Sequence, residues 1–580
     1  MANLDTVGHQ KTVKITDFGS LDRQAPACGI TQAWVLRNLR PMADGSLMRR
    51  EGYLPMLTLN GTVRGVFFTE RDGLSEGYAV ADETVYSLRA SGEAYEAVTI
   101  GTLPSHEGDV SFWQHDGSVV LMDGAAIYSL TMESMAPLRA YIPLYGKDWS
   151  PTKGAARPML ERPNLLTRQL RFRYSDPTNQ IVYMHLDDLP VESVDGVLAD
   201  GEPITTWSYN EKENRVGISM FRPVGTEYEV FVTMSPDFFT VPEHGPLKAG
   251  DLAMIGDAEQ PRLLFFGGVL PTGKIWMSRP IDRLQRAAVQ TLYPEMCGVY
   301  MTDEDDMTVG DGVQAITGAC RHYDRSLIFT TDQAWMADGR LNENGTLQFV
   351  PVNTSLGCDR AGACAVIGNH PYTLHRGRVL RWNSHTDERN ECNAEVVSVA
   401  VAEMIDREGG RLLADASRGE LWHYRPHGSG VLVMQERGAW TVLDGFVPGG
   451  MFLVGSTVGF YTGHTLYRFD PGADRDTDAL GKTRAIEAEY QSRYMDFDQA
   501  ERIKRLCRVS VVAECGEQEI ELYVQDVRGR ISRSVLRGTG EEVCALSSGA
   551  HTGRFRFLRI RLVANGMGRL RLCGLTVTAR

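Results

Sequence analysis

The sequence lacks the residue clusters that most chemistry requires. Its ten cysteines (28, 297, 320, 358, 364, 392, 507, 515, 544 and 573) are dispersed, and none forms a C-x-x-C pair. The closest two, Cys358 and Cys364, have five residues between them, looser than the usual spacing of zinc ligands. They read as reduced, small apolar residues made in a reducing compartment. No apolar run approaches the roughly 18 residues a membrane helix needs. The first fourteen residues have no apolar stretch of the signal-peptide kind. A G-x-S-x-G elbow, an H-E-x-x-H pair, a phosphate-binding glycine loop and the Ser-x-Asp-x-Gly-x-Thr-Trp box of sialidases are all missing. The reading is therefore of a non-enzyme, with no catalytic residues and no organic cofactor.

Long helical periodicities are scarce too, and 59 glycines with 43% hydrophobic residues favour a soluble all-β chain. What is present is a returning hairpin. Val85-Tyr86-Ser87-Leu88 is matched 42 residues later by Ile127-Tyr128-Ser129-Leu130, each after an alternating strand and an Asp turn. Weaker copies end in aromatics at Trp335, Trp382, Trp422 and Tyr467, in steps of 47, 40 and 45. A period of about 40–45 residues is that of four-stranded propeller blades. A large β-sandwich built of similar hairpins is the alternative fold.

In order, residues 1–150 read as an N-terminal strand and the first blades, with Gly45–Tyr53 feeding the first of them. Residues 151–255 read as an inserted small β domain, on the period-two pattern of Gln169–Tyr174 and Tyr228–Met234. Residues 256–480 carry the remaining blades, and 481–580 form a C-terminal β-sandwich. Arg49 and Arg50 read as an ion-paired or solvated strand start.

Two places attract a site reading. Asp474-x-Asp476-x-Asp478 offers alternating carboxylates of the kind Ca²⁺ favours, although the spacing of an EF-hand loop is missing and a solvated linker explains it as well. Charge is unevenly divided. Residues 501–580 hold 15 Lys/Arg against 8 Asp/Glu, so within a net −14 they carry +7 and the preceding 500 residues −21. Arg554, Arg556, Arg559 and Arg561 alternate with apolar residues, with a change of phase between Phe557 and Leu558. A β-bulge there would gather them on one face, and Arg569 and Arg571 repeat the pattern. That face is expected to dock on an acidic neighbour, with an ordinary solvated surface as the alternative.

The entry Arg49-Arg50-x-Gly52-Tyr53, the stretches Ser326–Trp335 and Asn353–Cys358, then Trp440–Asp444, Tyr467–Asp470 and Ser492–Phe497 with Lys504 together resemble a known family. It is that of the β-propeller tail proteins of short-tailed bacteriophages, called nozzle, tubular or packaged-DNA stabilisation proteins. The likeness is a succession of weak motifs over residues 10–505, and the C-terminal domain departs from the simplest nozzle layout. The resemblance implies a homohexameric ring in the virion tail, assembled in the host cytoplasm. Its neighbours would be an adaptor or portal on one side and a fibre or needle on the other. Viral DNA would pass its bore without sequence specificity, since carboxylates lining a channel repel phosphates. A receptor- or glycan-binding propeller using Trp113, Trp149, Trp207 and Trp335 is the alternative, and a propeller glycosidase with carboxylates meeting on the axis is the lesser one.

Overall fold

Alternation of apolar and polar residues, broken every few residues by Asp or Gly turns, yields short antiparallel strands and very little helix. A computed structural model describes all residues except 1, 8–9, 25–29, 72–73, 92–93, 116–117, 150–159, 221, 239–244, 256–261, 269, 280–291, 293–298, 323–324, 342–346, 384–392, 436, 542 and 549–552. Among the described residues seven four-stranded meanders of propeller-blade type occur. They run over 63–102, 111–137, 251–308, 316–353, 364–396, 411–443 and 450–470. The last takes its fourth strand from Gly52–Thr58, paired with Thr465–Asp470. The sequence reading had this N-terminal segment feeding the first blade. Its partner is the final one, more than 400 residues away.

The recurrent hairpin is the second and third strand of its blade at 74–91, 118–130, 325–341, 370–382 and 457–470. In the blade 411–443 the copy that ends at Trp422 is instead the first hairpin. The step of 40 between aromatics therefore reflects a change of position within the blade as well as loop length.

The chain divides into two compact units, Met1–Asp82 with Leu88–Val98 and Ser355–Arg580, and Glu83–Ser87 with Thr99–Thr354. In the first, the C-terminal domain is a two-sheet sandwich. One sheet centres on Arg571–Ala579 and Lys504–Glu514, the other on Leu558–Ala564 and Glu519–Asp526. The inward residues Val509, Val511, Leu575 and Val577 of one, and Ile520, Leu522, Val524, Ile560 and Leu562 of the other, are buried. The sandwich is not made of residues 481–580 alone. Gln10–Ile15 and Leu47–Arg49 pair with the final strand, and Ala33–Arg37 pairs with Ala488–Ser492. Ala33–Arg37 also bridges to the blade 411–443 through Arg37 and Val442, so one sheet runs from blade to sandwich.

In the second unit, the insertion between blades has its own core around Leu170, Phe172, Tyr174, Val230 and Val232. Its five-stranded and three-stranded sheets span 144–234. Leu144–Trp149 joins them in parallel to Gln169–Tyr174, while Asp251–Ile255 begins the next blade. The boundaries therefore fall before 151 and well before 255.

His423, on the blade strand Glu420–Tyr424, is 1% exposed, and its Nε2 has no hydrogen-bond partner. Burial outweighs the opposing pull of Asp406 and lowers its pKa to about 4. The unfolded chain takes up this proton near pH 6.5 and the folded chain only near 4, so stability falls as pH drops through that window. The loss from this group is on the order of 3 kcal/mol by pH 4. Urea titrations at pH 7 and pH 4.5 should show that His423→Leu loses less stability on acidification than the parent chain. An equal loss would place the acid sensitivity elsewhere.

Candidate functional site

The structure gives the Arg49–Tyr53 motif a definite role, and the acidic loop belongs to the same construction. Arg50 is buried, and all five of its N–H groups are used. Nη1 and Nη2 donate to Oδ1 and Oδ2 of Asp476, both at 2.8 Å. Nε donates to Asn38 Oδ1, and the remaining two hydrogens go to the carbonyls of Glu51 and Asp444, each at 2.9 Å. The guanidinium also lies within 6 Å of the rings of Tyr53, Phe446 and Phe469. Arg49 donates to the carbonyls of Gly566 (2.7 Å) and Gly568. Glu51 accepts from Arg418 at 2.8 Å and faces Arg40, which itself pairs with Glu420. Tyr53 enters an aromatic cluster with Phe460 (5.1 Å) and Tyr467 (5.4 Å). The motif fastens the sandwich, the last blade and the 470–485 segment into one body.

The three aspartates proposed as Ca²⁺ ligands therefore do not converge. Asp476 is saturated by Arg50, and Asp474 accepts from Arg475 Nε at 2.8 Å, which holds its carboxyl below the ordinary range. Asp478 closes a turn by accepting from the N–H groups of Leu480 and Lys482. Among the described residues no group of three or more His, Cys, Asp or Glu is placed to hold a metal ion.

The six arginines are likewise distributed. Arg554 and Arg556 are exposed, but the phase change after Phe557 is not a bulge. Arg554–Phe555 pairs with Lys504 and Arg505 in one sheet, and Leu558–Ala564 pairs in the other. The chain changes sheets there, which buries Phe555 and Leu558 and leaves Phe557 half-buried. Arg571 lies in the first sheet, held by Glu514 (3.1 Å), Ser46 Oγ (2.8 Å) and Asp44, with exposed Arg569 just before it. Arg559 and Arg561 stand on the outer face of the second sheet.

That outer face is the strongest candidate surface. Arg561 Nε donates to Glu489 at 2.6 Å, a bond that holds its pKa above the ordinary arginine range. Arg559 donates twice to Gln525 Oε1 (3.0 and 2.8 Å) and lies 5.0 Å over the ring of Tyr494. Arg533 pairs with Glu521, and Arg537 with Glu519 at 2.9 Å. A cleft of about 220 Å³ opens between Tyr523, Gln525, Ile531, Arg559 and Arg561. These side chains form a ladder of alternating sign, so the arginines are positioned by their own carboxylates. Sequence reasoning found Arg559 and Arg561 but missed Glu489, Glu521 and the edge strand Ile531–Arg537. The alternation Ile531-Ser-Arg533-Ser-Val535 was the available signal.

Three of the four aromatic residues of the glycan-binding alternative serve packing. Trp207 and Trp335 lie against the cores of the insertion and of the blades 251–353. Trp113 packs likewise and donates to Asp251 Oδ1 at 3.2 Å. The Trp149 side chain lies outside the described residues.

No family model matches the chain, and no curated protein matches it. Among solved structures it is similar to one described as a streptogramin B lyase, at 8% identity and a TM-score of 0.36, covering 72% of this chain and 97% of that one. A second is described as the AfRom2 CNH domain, at 6% identity and a TM-score of 0.34, covering 72% and 99%. The chain itself is all-β, of propeller type, with an inserted β domain and a C-terminal sandwich.

Proposed function

We propose that the chain is a structural subunit of the virion tail of a short-tailed bacteriophage, a ring component that holds and conducts the genome without catalysis. The observation that carries this reading is the fastening of residues 10–58 to segments more than 400 residues away. Residues 10–58 supply strands to the sandwich and to the last blade, and Arg49–Tyr53 cements the two. A part that must stay intact while pressurised DNA passes benefits from domains that cannot peel apart separately. An acidic body of −21 against a basic C-terminal region of +7 suits the same task, repelling phosphates while offering arginines to neighbours. Its partners on this reading are further copies of itself, an adaptor or portal on one side, a fibre or needle on the other, and viral DNA. Native mass measurement of the purified chain, alone and mixed with the adaptor protein of the same virus, tests the reading. A closed oligomer, six copies on the family's pattern, is expected in at least one condition. A monomer in both would overturn it.

A further inference from the structure

Ile531–Arg537 ends its sheet. It pairs with Glu519–Asp526 on one side, and among the described residues no strand pairs with the other. The register holds without a shift through all seven residues. Two flanking bonds fix its phase: Gly538 N–H donates to the Gln518 carbonyl (3.0 Å) and Asp526 N–H to that of Arg530 (3.1 Å). Bonded and non-bonded pairs alternate in an antiparallel ladder. Ser532, Ser534 and Leu536 therefore spend their main-chain groups on the ladder, while Ile531, Arg533, Val535 and Arg537 turn theirs outward. The same four present their side chains on the solvent face, where Ile531 is 61% and Val535 45% exposed. The strand has no proline, no bulge and no inward-pointing charge, three of the usual protections of an edge, and its two charged side chains, Arg533 and Arg537, are each paired with a glutamate of the neighbouring strand. Val527, 52% exposed, extends the apolar patch at the preceding turn.

We propose that this edge is where a second copy of the chain docks, adding an acidic strand to the sheet. Outward N–H and C=O groups specify an extended segment as the occupant. Ile531 and Val535 call for apolar residues, and Arg533 and Arg537 for carboxylates between them. Two copies of this edge would bring arginines of both together, which disfavours a self-paired contact. Residues 519–561 hold eight arginines against five acidic residues, two of which pair with Arg533 and Arg537, whereas residues 1–500 carry −21, so the complementary surface lies on the acidic body of the second copy. Such a contact is head-to-tail and repeats from copy to copy, as a ring requires. It rests on the ring reading given above, and the test separates the two.

Sedimentation velocity of the full chain, of Val535→Pro and of Ile531→Lys, at about 50 and about 500 mM salt, provides that test. The Val535 N–H faces outward, so proline removes no ladder bond yet blocks an added strand. Ile531→Lys removes the apolar anchor at an exposed position and covers the case in which the proline variant fails to fold. The parent chain should assemble, more weakly at high salt, and each folded variant should associate at least tenfold more weakly with its melting temperature preserved. Assembly of both variants at parental strength would overturn the edge contact and leave the ring reading standing. A parent chain that stays monomeric would overturn the edge contact, and its native mass with the adaptor would then decide the ring reading separately.

Discussion

Arg50→Met and Asp476→Asn should each destabilise the first unit by about 3–5 kcal/mol, the usual cost of leaving one member of a buried ion pair uncompensated. Side-chain exposure is 1% for Arg50 and 3% for Asp476, so water cannot replace the lost partner. The loss spreads, because Arg50 also satisfies Asn38 and the carbonyls of Glu51 and Asp444. Removing the guanidinium takes a donor from four acceptor groups, of which Asn38 Oδ1 keeps the Asp444 N–H, and removing the carboxylate charge leaves a cation facing aromatic rings. The double variant Arg50→Met/Asp476→Leu should cost less than the sum of the single changes, since it leaves no isolated charge. Urea unfolding of the four chains reads the coupling directly. Additive losses would show that the two groups do not act as a pair.

Gly52→Ala should be about as damaging, for a steric reason. A Cβ on Gly52 overlaps the carbonyl oxygen of Arg475 and falls 2.6 Å from its carbonyl carbon and 2.9 Å from its amide nitrogen. All three are backbone atoms, so no rotamer change relieves the clash. The segment that must move carries Asp476, the partner of Arg50, and Gly52 N–H is itself bonded to the Ala473 carbonyl at 2.8 Å. Overpacking alone costs about 1–3 kcal/mol, and displacement of Asp476 adds part of the ion-pair loss. The entropic gain of replacing glycine, about 0.4–1 kcal/mol, is smaller. Gly574→Ala is the control, because a Cβ there meets nothing nearer than 3.6 Å. Thermal melting should show a large drop for Gly52→Ala and little change for Gly574→Ala. Equal melting temperatures would contradict the close approach.

The sequence disclosed the blades because their signal is local: a period-two strand, an Asp or Gly turn, and a second strand ending in an aromatic within about ten residues. Asp82 in one such turn has φ +47°, a conformation Asp tolerates better than most residues. The insertion was visible for the same reason, although the prolines at 143, 151 and 158 hid the parallel strand Leu144–Trp149. What stayed hidden was every pairing between distant segments. Nothing within residues 45–58 indicates that their partners lie at 465–470, 476 and 571–572. The spacing of Asp474, Asp476 and Asp478 was legible, but its meaning depended on an arginine 426 residues earlier. The change of phase at Phe557–Leu558 was legible too. A bulge and a change of sheet produce the same local pattern, and only the partners, Lys504 for one half and Glu489 and Gln525 for the other, distinguish them.

On the proposed reading the chain is a built-in part of a virion tail. Quantitative mass spectrometry of gradient-purified phage particles, prepared from the source of this sequence, is the decisive measurement. A fixed copy number of six per particle, retained after high-salt washing and nuclease treatment, is expected. Absence from purified particles, with the chain found only in the infected-cell lysate, would contradict it.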